Sequence, residues 1–312
     1  MTATVAALRR RYLPLALRLG RTVGFGLLIV LSIALSLRHV ILTGDFATTP
    51  FDWQQFEIAT QRLGTGTLYE WEFRGSFEYS YRYSPLFAHL MVPLVGLGIT
   101  VWRFLQFAVL LMLPWRVAVL ALLAWPFWED VYNANVMTFV FVAGWLAING
   151  NRWGTMAYLL LTALVPRPLM LPLLVWILWR QPWARGPAAI GLVACVGLTL
   201  ATGEAAGFVA ALARGGNMIE FERNYGPSRW FGWAWLVVGV PLAVWLVWMG
   251  RIGFASLAVS PYLLPYHFIV ALWETARTRD KPTISLLGNA LADVVSRLRP
   301  MSAPLRPGPP AP

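Results

Sequence analysis

Asp52 is the residue of this chain best suited by type and setting to act as a base. It follows Thr49 and Pro50, so Thr49 reads as a helix N-cap, Pro50 as the first helical position and Asp52 as the third. Two readings stand side by side. A carboxylate near a helix N-terminus is stabilising in any protein, and the same field keeps it ionised at neutral pH, as a general base must be. Arg167 is the natural counter-charge. It sits in "LVPRPL", at the centre of the apolar run 153–179, where a guanidinium is costly unless it meets an anion or a water-filled cavity. In a membrane enzyme the obvious anion is a lipid phosphate. His267, in "LPYHF" of another interrupted apolar run, follows the same logic, with a satisfied buried histidine as the alternative. Arg82, just ahead of "YSPLF", reads as a snorkelling interfacial arginine or as a second cation for the same anion.

Other chemistries find little support in the sequence. It carries no Asp-x-Asp metal motif, no glycine-rich phosphate loop and no HExxH, and its three histidines (His39, His89, His267) are scattered. The adjacent acids Glu129 and Asp130 read as a solvated helix end, with cation binding as the lesser alternative. One cysteine, Cys195, lies in an apolar segment and excludes an intramolecular disulfide.

The elements that must position these groups are apolar helices. Of 312 residues 58% are apolar and 12% charged, about half the charged share of an ordinary soluble domain. Apolar runs recur along the length, so the expected fold is all-α: a polytopic membrane bundle of nine to ten spans with a long extracytoplasmic first loop. The net charge of +11 does not point to nucleic acid, because the arginines stand at the ends of apolar runs and in the tails. Orientation and anionic membrane lipid account for them.

Residues 1–22, with five arginines and no acid, are expected to form a basic cytoplasmic tail ahead of a first span at 23–43. An outer loop over 44–82 follows, with six acids against three arginines. Its helix after Asp52 is expected on the membrane surface, and Tyr69, Trp71, Phe73, Phe77, Tyr79, Tyr81 and Tyr83 read mainly as an interfacial aromatic belt. A span at 84–100 leads to Arg103 on the inner side, and 104–128 reads as one kinked helix. Residues 131–149 cross inward, and 153–179 form a broken or re-entrant pair with Arg167 at the break. Further spans lie at 186–202 and 230–249, separated by a second outer loop at 203–229. The membrane domain ends at 273. A basic tail over 274–312 is expected to carry a surface helix at 283–298 and a disordered end.

The order of these features resembles the polyprenyl-phosphate-mannose-dependent mannosyltransferases of glycosyltransferase family 87. "FDWQQFEIATQRLGTGTLYE" and "YRYSPLFAHLMVPL" are similar to that family's first outer loop, through Asp52, Phe56, Ala59, Gly66, Leu68, Tyr69, Tyr83, Pro85 and Leu86. "NANVMTFVFVAGWLA", "LVPRPLMLPLLVWIL" and "SPYLLPYHFIVAL" resemble its Gly-Gln-x-Asn, Lys-Pro and Trp-x-His segments, with Asn133 where the family has Gln and Arg167 where it has Lys. The resemblance implies a C-type membrane glycosyltransferase fold. It also implies a polyprenyl-phosphate sugar donor, usually mannose, and a lipid or glycan acceptor at the outer face. Asp52 would then be the catalytic base, with Arg82, Arg167, His267, Tyr83, Asn133 and Asn135 toward the donor phosphate. No cofactor or metal is expected, since a lipid phosphate departs as a stable anion. The rival reading is a non-enzymatic transporter or lipid-carrier subunit in which Arg167 binds an anionic solute.

Overall fold

A computed structural model of the chain describes residues 30, 34, 50–74, 77–79, 81–214 and 224–276. The basic tail 1–22, almost all of the span expected at 23–43, Thr49, the middle of the second outer loop and the surface helix at 283–298 lie outside the described residues. Within them the fold is almost wholly helical. One short antiparallel hairpin, β1 (Glu72–Arg74) with β2 (Phe77–Tyr79), interrupts the outer loop.

The helix expected after the Thr-Pro pair is α1 (Phe51–Gln61), with Pro50 as N-cap and Asp52 in its first turn. Trp53, Phe56, Ile58 and Ala59 bury its apolar side, so α1 is built into the molecule instead of lying on a membrane surface. The loop tyrosines follow it inward. Tyr69, Tyr79, Tyr81 and Tyr83 are buried, and the hydroxyls of the first three donate to the carbonyls of Tyr83, Leu68 and Ser84. Each phenol replaces water with a fixed acceptor, which makes burial tolerable. These four members of the expected aromatic belt are therefore an inner core of the loop, whereas Trp71 stays exposed.

Ser84 caps α2 (Pro85–Leu97), accepting from the amide of Phe87 at 3.2 Å. Gly98, at φ 87°, then turns the chain by 108° into α3 (Ile99–Leu110), a backbone state that side chains other than glycine resist. This bend corrects the expected topology. Trp102 returns to pack on Trp53 and Phe56, and Arg103 donates to the carbonyls of Val131 and Tyr132. Arg103 thus lies beside the outer-loop helix and not on the far side of a span. The stretch read as one kinked helix is divided, with breaks at Pro114 and just ahead of Pro126, among the end of α3, α4 (Trp115–Leu123) and the start of α5 (Trp125–Asn133).

From there α6 (Met137–Ile148) and α7 (Arg152–Leu164) form a hairpin, and Pro166 and Pro168 break the chain before α8 (Leu171–Arg180). The break was expected at Arg167. Its two outer ends meet, because the Thr155 hydroxyl donates to Gln181 Oε1 (3.0 Å) and Gln181 Nε2 donates to the Ala147 carbonyl (2.9 Å). A 3₁₀ turn at Pro182–Ala184 opens α9 (Arg185–Ala201), followed by α10 (Ala205–Arg214), the short α11 (Ser228–Phe231), α12 (Trp235–Trp248) and α13 (Ile252–Val259).

Two stretches, Pro182–Ala201 and Ser228–Trp248, are long and apolar enough to cross a membrane, or three if the bent pair α2–α3 counts as one. Their side chains face outward: Ile190, Val193, Val196, Leu200, Val237 and Val244 are all exposed. An apolar surface this extensive is compatible with insertion into a membrane.

The last described element is a 3₁₀ helix at Pro265–Thr275, long for a geometry rarely sustained beyond a few residues. It threads the main core between α5, α6 and α13, where Trp273 Nε1 donates to the Phe141 carbonyl (2.8 Å). Two glycines let it in. A Cβ on Gly144 would collide with the Trp273 indole, and one on Gly253 with the Val270 carbonyl oxygen. Because the second obstacle is backbone, Gly253→Ala is expected to destabilise the fold by about 1–3 kcal/mol, seen as an earlier thermal unfolding transition of the purified protein. An unchanged transition would contradict this packing.

Candidate active site

Two buried cores meet near one end of the molecule. One is formed by α1, the loop tyrosines, α2 and the start of α3; the other by α4 to α8 with the 3₁₀ helix at Pro265–Thr275. Asp52, Tyr83, Asn135, Arg167, Tyr266 and His267 lie along the seam between them.

Asn135 is the pivot. Its Nδ2 donates to Asp52 Oδ2 at 2.7 Å, and its Oδ1 accepts from Arg167 at 3.3 Å and from the Val136 amide at 2.7 Å. One amide side chain thereby touches both the base and the cation. The local backbone is built for this. Asp130, wholly buried, accepts from the amides of Met137 and Thr138 (3.0 and 2.8 Å) and from the Thr138 hydroxyl (2.6 Å), capping α6. Ala134 turns through the left-handed region at φ 53°, a conformation that costs a non-glycine residue roughly 1–2 kcal/mol. The Asn135 carbonyl accepts from Gln106 Nε2 (2.8 Å) and Trp102 Nε1 (3.3 Å).

Arg167 donates to the Tyr83 hydroxyl (2.6 Å) and to His267 Nε2 (2.7 Å), with the rings of Tyr83 and Tyr266 against its guanidinium. A guanidinium only donates, so in this contact His267 Nε2 is the acceptor; the Leu264 amide lies 3.1 Å from the other ring nitrogen, Nδ1. The acceptors on Arg167 are all neutral. Among the described residues no carboxylate approaches it within ion-pair distance, and it keeps partial access to solvent. Its positive charge is therefore left without a contacting carboxylate among the described residues.

Asp52 is half-buried. Burial raises its pKa above the usual carboxylate value, while the Asn135 bond, the Arg167 charge and a hydrogen bond from Tyr266 pull it down. The Tyr266 phenol thus favours the ionised form. If Asp52 is a base, the acid limb of the pH–rate profile lies above the ordinary carboxylate range, with rate lost as pH falls through it. Tyr266→Phe removes a donor to the anion and is expected to move that limb to higher pH, while a merely structural role would leave it in place.

Of the residues singled out in the sequence, the structure brings Asp52, Tyr83, Asn135, Arg167 and His267 into one hydrogen-bonded group. It does not bring in two others. Asn133 Nδ2 turns back to the Glu129 carbonyl (2.8 Å) on its own helix, and Arg82 makes no hydrogen bond to the cluster among the described residues. Asp130, read as a solvated acid, is instead the buried cap of α6. Tyr266, and Tyr262 whose ring centre lies 5.6 Å from that of His267, escaped notice, because tyrosine in an apolar run resembles its neighbours until the chain is folded. Among the described residues no group of three or more His, Cys, Asp or Glu side chains converges as a metal site would require. Comparisons with protein-family models, curated proteins and solved structures give no match for this chain.

Proposed function

We propose that the chain is an integral membrane glycosyltransferase of C-type architecture that moves a sugar from a polyprenyl-phosphate donor to an extracytoplasmic acceptor with inversion. The observation that carries this reading is the bridge at Asn135, which puts an ionisable carboxylate and a guanidinium that touches no carboxylate on opposite ends of one amide. Asp52 takes the proton of an acceptor hydroxyl. The oxygen forms its bond to the anomeric carbon from the face opposite the phosphate, and the carbon–oxygen bond to the phosphate breaks. The lipid phosphate keeps the electron pair, and Arg167 and the Tyr83 hydroxyl offset its charge.

The transporter alternative needs a site reached from both ends of the bundle. Below the seam, Met137, Val140, Phe141, Leu169, Met170 and Leu173 are almost completely buried and fill the space toward the other end of α6 to α8. Mannose as the sugar rests on the resemblance of sequence motifs alone.

The test is direct. Purified protein in lipid bilayers is given radiolabelled polyprenyl-phosphate mannose, and then other polyprenyl-phosphate sugars, with a membrane glycolipid extract as acceptor. Transfer of label together with release of polyprenyl phosphate is the expected result. No release from any donor, alongside exchange of labelled anions across sealed vesicles, would replace the enzyme reading by the transporter one.

A further inference from the structure

The end of the bundle farthest from Asp52 carries a second, unrelated constellation. Arg152 opens α7, Arg180 closes α8 and Arg185 opens α9, and each stands within two residues of a tryptophan: Trp153, Trp179 and Trp183. The Thr155–Gln181–Ala147 hydrogen bonds fix these helix ends to one another. The Arg152 guanidinium lies over the Trp183 ring at 5.6 Å, Arg180 over Trp179 at 4.9 Å, and Arg185 Nε donates to the Leu178 carbonyl at 2.8 Å. All three arginines are exposed, as are the three indoles.

No acid balances them nearby in sequence, for the chain from 131 to 203 contains neither Asp nor Glu. Glu274 approaches this end through Thr275, which accepts from Trp145 Nε1 at 3.1 Å. Its carboxylate is already occupied by Arg251 and by the amides of Gly253 and Phe254. Farther along, the same helices expose Met156, Leu160, Val175, Ile190 and Val193.

We propose that Arg152, Arg180 and Arg185, with Trp153, Trp179 and Trp183, form a binding surface for the headgroups of anionic phospholipids. A guanidinium stacked on an indole keeps its N–H edge for a phosphodiester. Tryptophan suits the boundary between headgroup and acyl chain, and the apolar collar accommodates the chains. Charge and apolar surface together select a lipid over a soluble anion or an acidic protein segment. Such anchoring also sets depth. The 13 residues of α7 rise about 20 Å, whereas Pro182–Ala201 with 20 residues rises about 30 Å, a full hydrocarbon core. Headgroups held at the arginine end thus place the Asp52 seam about 10 Å beneath the opposite interface.

The experiment titrates the purified full chain in neutral detergent with phosphatidylglycerol, phosphatidylcholine or soluble glycerol phosphate, following tryptophan fluorescence and the thermal transition. Phosphatidylglycerol is expected to shift both, weakly or not at all when ionic strength is raised; the other two should not. Replacing all three arginines by glutamine should weaken phosphatidylglycerol binding about 100-fold, near fivefold per arginine. Replacing all three by lysine should retain most of it, which separates lost charge from lost folding. An equal response to phosphatidylcholine, a full response to glycerol phosphate, or an undiminished response of the glutamine variant overturns the proposal.

Discussion

Asp52→Asn is expected to lower sugar transfer by about 10²–10⁴-fold, the range ascribed to a positioned general base, while leaving the thermal transition close to that of the unchanged protein. Asparagine is nearly isosteric with aspartate and still offers an oxygen to Asn135 Nδ2, so the 2.7 Å contact can persist. The replacement removes the negative charge that the neighbouring Arg167 and the Tyr266 phenol favour. What disappears is the ability to take a proton. Asp52→Glu keeps the charge but adds a methylene, and α1 is pinned by Trp53, Phe56 and Ala59, each at most 1% exposed. The longer side chain cannot be accommodated by sliding the helix, so a partial loss is expected. Initial rates of label transfer, measured with saturating donor, decide the matter. Transfer by Asp52→Asn at the rate of the unchanged protein removes Asp52 from the mechanism.

The parts of this site that were legible in the sequence are those with a large energetic signature. A guanidinium inside an apolar 27-residue run is expensive wherever it occurs, and a carboxylate beside a proline-marked helix start is held ionised by the helix, so Arg167 and Asp52 stand out before any fold is known. Residues whose role depends on chain reversal do not. Asp130 looks like a solvated helix end until Ala134 turns the chain and presents the Met137 and Thr138 amides to it. Asn133 and Asn135 are equivalent in sequence. The first still lies in the last turn of α5, where a side chain falls back on the carbonyl four residues earlier, and the second lies beyond that turn and reaches across to α1. Arg82 and Tyr83 are neighbours in the irregular turn ahead of α2, and only Tyr83 reaches the seam, through Arg167. Helix boundaries set by proline, as at Pro85 and around Arg167, were readable from local chemistry. The fold-back at Gly98 was not, because a glycine among apolar residues signals conformational freedom without saying how it is used.

Arg167→Gln is expected to reduce kcat/KM for the lipid-phosphate donor by about 10²–10³-fold, the loss typical of removing one donor to a developing anion in an enclosed site. Inhibition by free polyprenyl phosphate should weaken in parallel, since the same cation meets the phosphate before and after the sugar leaves. Lysine is the informative second variant. It restores the charge, but a single ammonium cannot reproduce the planar fork that reaches the Tyr83 hydroxyl at 2.6 Å and His267 Nε2 at 2.7 Å together. Arg167→Lys should therefore recover phosphate affinity more fully than turnover, a split between KM and kcat that a role in folding alone would not produce. The neutral partners sharpen this expectation. Were Arg167 matched by a carboxylate in contact, deleting it would strand a buried negative charge and unfold the seam; held by a phenol, an imidazole and an amide, it can be removed at modest cost to stability. Unchanged donor KM and unchanged product inhibition in Arg167→Gln would show that this guanidinium does not hold the phosphate, and the seam would then need another source of positive charge to act on a lipid-linked sugar.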